Sequence, residues 1–375
     1  MRILHTSDLH LGITLCGENL ISEQEKMADR LVETAVAEKA EAVIIAGDVF
    51  DRSVASHSAV QLFDRLIEML CVEKNIPVII CAGNHDSPER LALHKKMLRK
   101  SMLFVEGKLN SRLEPVVIGS CAFYIVPFFN TESARAVFGE KIESYQDVYK
   151  LICDKIRENF DITKTNILVS HCFVTGGILT ESDRAARLGG AAQLPAEIFS
   201  GFDYVALGHL HTPHGIGDNI RYSGTPMKYS FGEHNSVKSV TIFDSEAKKI
   251  TTVPVPAERD LRVLEGSYIE LLKNAENDER CDDYIKIVLN DRFAEGEIFS
   301  RFKLYYSNIL SFEGVNYRSE STASQLTASE LSALSPVELL KAYYLGKPGA
   351  MLGDFELEWF EKAILAAGRN DENDT

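Results

Sequence analysis

Seven residues of this 375-residue chain carry the side chains that hold divalent cations: Asp8, His10, Asp48, Asn84, His171, His209 and His211. Carboxylate, imidazole and amide donors without thiolate suit borderline-to-hard ions such as Mn²⁺, Zn²⁺ or Fe²⁺. Seven donors are too many for one catalytic ion with open positions. They fit two ions roughly 3.5–4 Å apart that share one carboxylate. Two such ions repel each other and a bridging anion offsets that repulsion; Asp48, central in the order, is the natural bridge. A lone histidine is more often a satisfied polar residue than a ligand, and Gly-Asp or Asp-x-His alone is a weak signal. The weight comes from five polar endings in one chain, each following an apolar run. Gly83-Asn84-His85-Asp86 and Gly208-His209-Leu210-His211 are the most specific. His5, His57, His94, His214 and His234 lack such company and take structural or surface roles.

His85 need not be a ligand. Asn84 can give a neutral oxygen to a metal while His85 faces a substrate. There an imidazole stabilises the extra charge on a phosphorus or protonates the leaving oxygen. Asp51, three residues after Asp48, is expected to hold His85 in one tautomer by accepting its other N–H. Arg52 and Arg90 are candidate phosphate contacts. Lys95, Lys96, Arg99 and Lys100, on a helix expected over 88–100, read either as a solvated face or as contacts to a phosphate backbone.

The elements that must position these residues follow from periodicity. Strands are expected over 2–7, 43–46, 76–81, 121–126, 166–170 and 204–207. Helices are expected over 22–39, 57–72 and 144–158, the first opened by a capping box of Ser22 and Glu25. Strand, helix, strand, helix, strand, with a polar motif after each strand, is the pattern of a parallel sheet with a site at its carboxyl edge. Short strands near 220–223, 237–243 and 249–254 look antiparallel, and a polar loop covers 175–190.

Hydrophobic content of 45% and charged content of 25% allow a large core, and the length suggests about two domains. A net charge of −15 disfavours a protein that coats DNA by general electrostatics. The first residues lack the apolar core of a signal peptide, and no run approaches the roughly 18 apolar residues of a membrane span. Seven scattered cysteines without CxxC spacing fit a reduced, cytoplasmic setting. The expected domains are 1–258 for the catalytic part, 259–325 for a small capping domain, 326–335 for a linker, 336–368 for a helical pair and 369–375 for a disordered acidic tail.

Asp8-x-His10, Gly47-Asp48-x-x-Asp51, Gly83-Asn84-His85-Asp86, His171 and Gly208-His209-x-His211 resemble the five motifs of the calcineurin-like metallophosphoesterase superfamily. The resemblance covers 1–250 and implies an α/β four-layer sandwich of mixed sheets flanked by helices. It also implies that Asp8, His10 and His211, with Asp48 shared, hold one metal, and that Asp48, Asn84, His171 and His209 hold the other. His85 would face substrate, with Asp51 as its partner. A narrower likeness rests on the first twelve residues, on Gly-Asp-Val-Phe-Asp-Arg, on Tyr-Val-Ala-Leu-Gly-His-Leu-His and on Tyr222-Ser-Gly-Thr-Pro226. It points to the DNA-cleaving subunits of bacterial complexes with a coiled-coil ATPase. That likeness implies a dimetal, Mn²⁺-dependent nuclease, with Mg²⁺, Fe²⁺ or Zn²⁺ as other candidate ions. The enzyme would act as a double-strand exonuclease and single-strand endonuclease in DNA end processing and hairpin cleavage. Residues 336–367 would bind the ATPase, and a homodimer would sit within a heterotetramer. The chain has no Gly-x-x-x-x-Gly-Lys-Ser/Thr loop, so any ATP step falls to the partner. The alternatives are a small-molecule phosphodiesterase or phosphatase, which the acidity favours, and a scaffold of the same fold, which intact ligands disfavour.

Overall fold

A computed structural model describes residues 1–139, 142–178, 193–291 and 295–314, with isolated positions at 335, 337–338, 340–341, 357 and 360. The strands in chain order are β1 (Arg2–Thr6), β2 (Thr14–Leu15), β3 (Glu18–Asn19), β4 (Ala42–Ala46), β5 (Val78–Cys81), β6 (Leu103–Glu106), β7 (Val116–Ile118), β8 (Cys121–Val126), β9 (Thr165–His171), β10 (Tyr204–Gly208), β11 (His214–Ile216), β12 (Ile220–Tyr222), β13 (Ser239–Asp244), β14 (Lys249–Pro254), β15 (Leu261–Gly266), β16 (Tyr284–Leu289) and β17 (Ile309–Gly314).

Two six-stranded sheets form the first part, ordered β14-β13-β1-β4-β5-β6 and β11-β12-β10-β9-β8-β7. The central strands β1, β4, β5 and β6 run parallel, as do β8, β9, β10 and β12. Antiparallel strands β13 and β14 extend the first sheet beyond β1, parallel β6 forms its other edge, and antiparallel β11 and β7 close the second sheet. The expectation of an antiparallel strand near 220–223 therefore holds on one side only: β12 is antiparallel to β11 and parallel to β10.

The strand sequences explain the layering. Ile44 and Ala46 of β4 and Ile79 and Cys81 of β5 share one buried cluster with Ile167 and Val169 of β9 and Ala206 of β10. Those side chains fill the space between the sheets. Successive residues of a strand point to opposite faces. Leu168, Val205 and Leu207 accordingly face outward and pack with Tyr149, Ile152 and Ile156 of the helix Tyr145–Arg157. On the other sheet Val43 and Ile45, equally buried, point to the face spanned by the crossover helices Ile21–Ala37 and His57–Ile67. Helix, sheet, sheet, helix is the four-layer α/β arrangement.

Two local expectations need correction. The Ser22–Glu25 capping box is absent: the helix begins at Ile21 after Leu20, which makes no side-chain cap, and Ser22 bonds Glu23 instead. Leu20 is fully buried, so burial of that apolar residue places the start one turn position earlier. A true capping box sits at Ser144 and Asp147. Residues 88–100 are broken into Pro88–Leu91, Lys95–Leu98 and a tight turn Arg99–Ser101, with His94 in the left-handed region at φ 58° between them.

The chain divides into two compact units, Met1–Arg262 with Asp282–Tyr284, and Val263–Cys281 with Ile285 onward. The second has its own small core, in which Leu271, Ile285, Ile287, Phe302 and Tyr306 pack between the β15-β16-β17 sheet and the helices Tyr268–Ala275 and Glu295–Phe302. Apart from the isolated positions given above, the expected linker and helical pair lie outside the described residues, as do the acidic tail, the end of the capping domain past 314 and the polar loop past 178. Among the described residues no helix is long and apolar enough to cross a membrane.

Candidate metal centre

Each ligand candidate stands where a parallel strand ends or in the turn beyond it. Asp8 and His10 follow β1, Asp48 follows β4, Asn84 follows β5, His171 ends β9, and His209 and His211 follow β10. Four of them have positive φ, which a side chain rarely tolerates: Asp8 at 52°, His10 at 42°, Asp48 at 48° and His209 at 96°. Hydrogen bonds between the loops hold these conformations. The Asp8 N–H donates to Gly47 O (2.9 Å) and the His10 N–H to Asp48 O (3.0 Å). The His209 N–H donates to the Asp8 carboxylate (3.0 Å).

The glycines of the motifs are there because the loops nearly touch. A Cβ at Gly47 would run into the His171 ring, one at Gly83 into the Asp48 carboxylate, and one at Gly208 into the Ala46 carbonyl.

The structure brings all seven donors into one pocket. Ligand atoms of Asp8, His10 and His211 lie within 4.8 Å of one another, as do those of Asp8, Asp48 and His171. Asn84 Oδ1 is 3.0 Å from His171 Nε2 and 3.1 Å from His209 Nδ1. Asp48 Oδ2 lies between these two groups, 3.4 Å from His171 Nε2 and 3.8 Å from His10 Nε2. Asp8, His10, Asp48, His171 and His209 are buried, whereas Asn84 is exposed and His211 partly so, which leaves the pocket open on one side.

Both ring nitrogens of His10 are buried and have no hydrogen-bond partner among the described residues. Buried polar atoms almost always have a partner, and a cation facing the ring supplies one. The donor set therefore fits a pair of divalent ions, with the Asp48 carboxylate lying between its two groups.

Burial and the neighbouring charges set the protonation of these groups. Burial pushes the His10 imidazole down to about 3, against the pull of Asp48, so at neutral pH the ring carries no proton that competes with a metal. Burial opposes the charge on Asp48, yet the imidazoles of His171 and His10 outweigh it and hold the carboxyl well below its usual range. His171 moves up to about 9: burial opposes its charge, but Asp48 and Asp8 beside it favour the imidazolium more. Burial, with repulsion from Asp48, lifts Asp8 to about 6. His171 Nδ1 donates to Ala46 O (2.9 Å), which turns Nε2 toward the pocket.

Asp51 accepts the other N–H of His85, through its main chain and not its side chain. His85 Nδ1 donates to the Asp51 backbone carbonyl (2.7 Å), not to its carboxylate. The Asp51 carboxylate instead lies 3.9 Å from His10 Nδ1 and accepts from Arg52 Nε (3.3 Å). The turn after Asp48 presents the carbonyl to His85, a feature no residue type encodes. Arg52 is highly exposed, and Arg90, also exposed, reaches the Ser53 carbonyl at 3.3 Å. His5 is buried, with Nδ1 2.8 Å from the Tyr204 hydroxyl, and His214 stacks on Tyr222. His57 and His94 are exposed. None of the four joins the pocket.

Sequence reading missed three residues that fix the loops. Buried Asp86 accepts from the N–H groups of Gly83 (2.9 Å), Phe50 (3.0 Å) and Val49 (3.2 Å), tying the Asp48 and Asn84 turns together. Its place inside Gly-Asn-His-Asp was the available signal. Gln24 donates to the carbonyls of Leu9 (3.2 Å) and His10 (2.9 Å) and accepts from the Gly12 N–H. Tyr229 donates to Leu9 O (2.5 Å) and sets its ring edge-on to His10. Neither had a signal, because each lies far along the chain from what it holds.

Comparison with known proteins adds to this geometry. Residues 1–213 match the calcineurin-like phosphoesterase family and residues 257–346 the type 5 capsule protein repressor C-terminal domain. The chain is 32% identical over 370 residues, 98% of each chain, to a protein of Staphylococcus saprophyticus named as the SbcD subunit of the nuclease SbcCD. A protein of the same name from Staphylococcus epidermidis is 32% identical over 320 residues, 84% of this chain and 86% of that one. Among solved structures, a Thermus thermophilus protein aligns with a TM-score of 0.42 at 15% identity, covering 68% of this chain and 99% of that one.

Proposed function

The chain belongs to the calcineurin-like phosphoesterase family, and from that premise we propose that it is the nuclease subunit of an SbcCD-type complex, a metal-dependent phosphodiesterase acting on DNA. The observation that carries this reading is the convergence of Asp8, His10, Asp48 and His171 with His211 within a few ångströms. Asp8, His10 and His211 hold one cation, Asn84, His171 and His209 the other, and Asp48 is shared. Mn²⁺ is the ion proposed; Mg²⁺, Fe²⁺ and Zn²⁺ suit the same donors. When bound, such a pair supplies Lewis acidity, which polarises a phosphoryl oxygen and activates water for in-line attack.

The remaining work belongs to this chain's own groups. His85 donates from Nδ1 to the Asp51 carbonyl; a second proton, taken up from solvent on Nε2, is the one the imidazolium gives to the leaving 3′-oxygen, which returns the ring to its Nδ1–H form. The αL backbone at Asp8, Asp48 and His209 aims their donors before substrate arrives. The proposed activities are exonuclease on duplex ends and endonuclease on single strands and hairpins, serving DNA repair, recombination and replication in the cytoplasm. The proposed partner is an SbcC-type coiled-coil ATPase, bound through 336–367, with two copies of each subunit. The match over 98% of the chain to a protein named as a subunit of SbcCD supports a partner of that kind.

The net charge of −15 favours the alternative, a phosphodiesterase for small molecules. One experiment separates the two: the purified chain with Mn²⁺ is offered a labelled duplex and a nitrophenyl phosphate ester. Cleavage of the duplex is expected, and cleavage of the ester alone would overturn the nuclease reading. His85→Gln should keep its Mn²⁺ and lose about 10²–10⁴-fold in rate; an unchanged rate would remove His85 from the mechanism.

A further inference from the structure

The motif Tyr222-Ser-Gly-Thr-Pro226 and the segment after it contribute no ligand, yet they carry a buried ion pair aimed at one. Glu233 is 1% exposed and Lys238 5%. Lys238 Nζ lies 2.5 Å from Glu233 Oε2. It also donates to the His211 carbonyl (2.9 Å) and to Thr225 Oγ1 (2.7 Å). The Thr225 N–H donates to the same His211 carbonyl (3.1 Å). Glu233 Oε1, which accepts from Ser230 Oγ (3.2 Å), stands 3.5 Å from His211 Nδ1. One member of the pair thus grips the His211 backbone while the other faces its ring.

A buried ion pair adds little stability over apolar residues of similar size, so its retention here calls for another role. We propose that Glu233 and Lys238 are positioning residues for the reaction: Glu233 accepts the Nδ1 proton of His211 and so presents Nε2 to the cation shared with Asp8 and His10. Lys238 keeps Glu233 ionised and locks the His211 main chain, so that ring and backbone are fixed together. A histidine ligand held in this way by a carboxylate binds its metal more tightly, and loss of such a carboxylate typically costs 10–100-fold in affinity. The effect falls on one cation of the pair, because Glu233 faces His211, whereas His171, His209 and Asn84 are tied to one another and to the Ala46 carbonyl.

The inference rests on the dimetal reading of the site, and its test does not use cleavage as the readout. The full-length chain carrying Glu233→Gln together with Lys238→Met removes both charges and leaves no lone buried ion. Titration calorimetry with Mn²⁺ should show one of the two ions weakened 10–100-fold and the other changed by no more than about threefold. Unchanged affinity for both ions in a variant that melts cooperatively overturns the proposal. Should the double variant fail to fold, nitrogen NMR of the wild-type chain loaded with Zn²⁺ decides: a proton on His211 Nδ1 supports the proposal and a proton on Nε2 overturns it. A wild-type chain that binds two Mn²⁺ and cuts no DNA overturns the nuclease reading while the affinity comparison still decides this one. A wild-type chain that binds no Mn²⁺ overturns both.

Discussion

His171 shows how a single ring records what the pocket is for. In the metal-free protein the carboxylates of Asp48 and Asp8 overcome burial and hold it protonated up to about pH 9. Because that value lies above the ordinary 6.5, the pair's contribution to stability is complete below about pH 6.5 and is lost as pH rises through 9. A metal accepts only the neutral ring. Loading the metal-free chain with Mn²⁺ at pH 7.5 should therefore expel about one proton per chain, read from calorimetric heats in buffers of different ionisation enthalpy. At pH 6 the count should rise, since Asp8 titrates near there; a count of zero at both pH values would remove His171 from the ligand set. At this scale the sequence was informative about donor type and poor about donor direction. Asp8, His10, Asp48, Asn84, His171, His209 and His211 were visible as polar residues spoiling the ends of apolar runs. Asp51 was expected to accept the other N–H of His85 and does so through its carbonyl, an atom that no residue type announces.

Close backbone approach where the strands end sets how near the donors lie to one another. Gly208 lies against the Ala46 carbonyl of a strand in the other sheet, so a methyl group there must push two sheet edges apart. Gly208→Ala should cost about 1–3 kcal/mol or more in urea unfolding and weaken Mn²⁺ binding as well. Gly215→Ala, whose added methyl would find its nearest neighbour at 3.6 Å and whose φ is not in the left-handed region, should stay within about 0.5 kcal/mol. Equal losses in the two variants would mean that glycine flexibility matters at these strand positions and close approach does not. The order of strands and crossover helices was legible because buried parallel strands read as short apolar runs. The start of the first helix was not: Ser22 and Glu25 have the right spacing, but fully buried Leu20 fixes where the helix begins. The break at His94 was equally hidden, since a left-handed residue interrupts a stretch whose composition is helical throughout.

The whole chain carries a net charge of −15, which sets how it can meet a polyanion. With few basic contacts, duplex binding by this chain with Mn²⁺ should depend only shallowly on salt. A slope of log affinity against log salt no steeper than about −3 is expected, the release of about three counterions. A slope near −8 would instead mean an extended basic face that the net charge conceals. The compositional shift near Pro254-Val255-Pro256 precedes by a few residues the division between the two compact units at Arg262 and Val263. The pairing of two sheets was less legible, because no local pattern says that β4 and β9 will face each other. That pairing has a consequence for the pocket. His171, from one sheet, bonds the Ala46 carbonyl of the other, and Asp8 and Asp48 come from the first sheet while His209 and His211 come from the second. The walls of the cavity are thus two separate slabs meeting like the jaws of a clasp. A parting of the slabs by a couple of ångströms, far too slight to melt either one, would scatter the donors all at once, and a bound ion pair in turn would rivet the jaws shut.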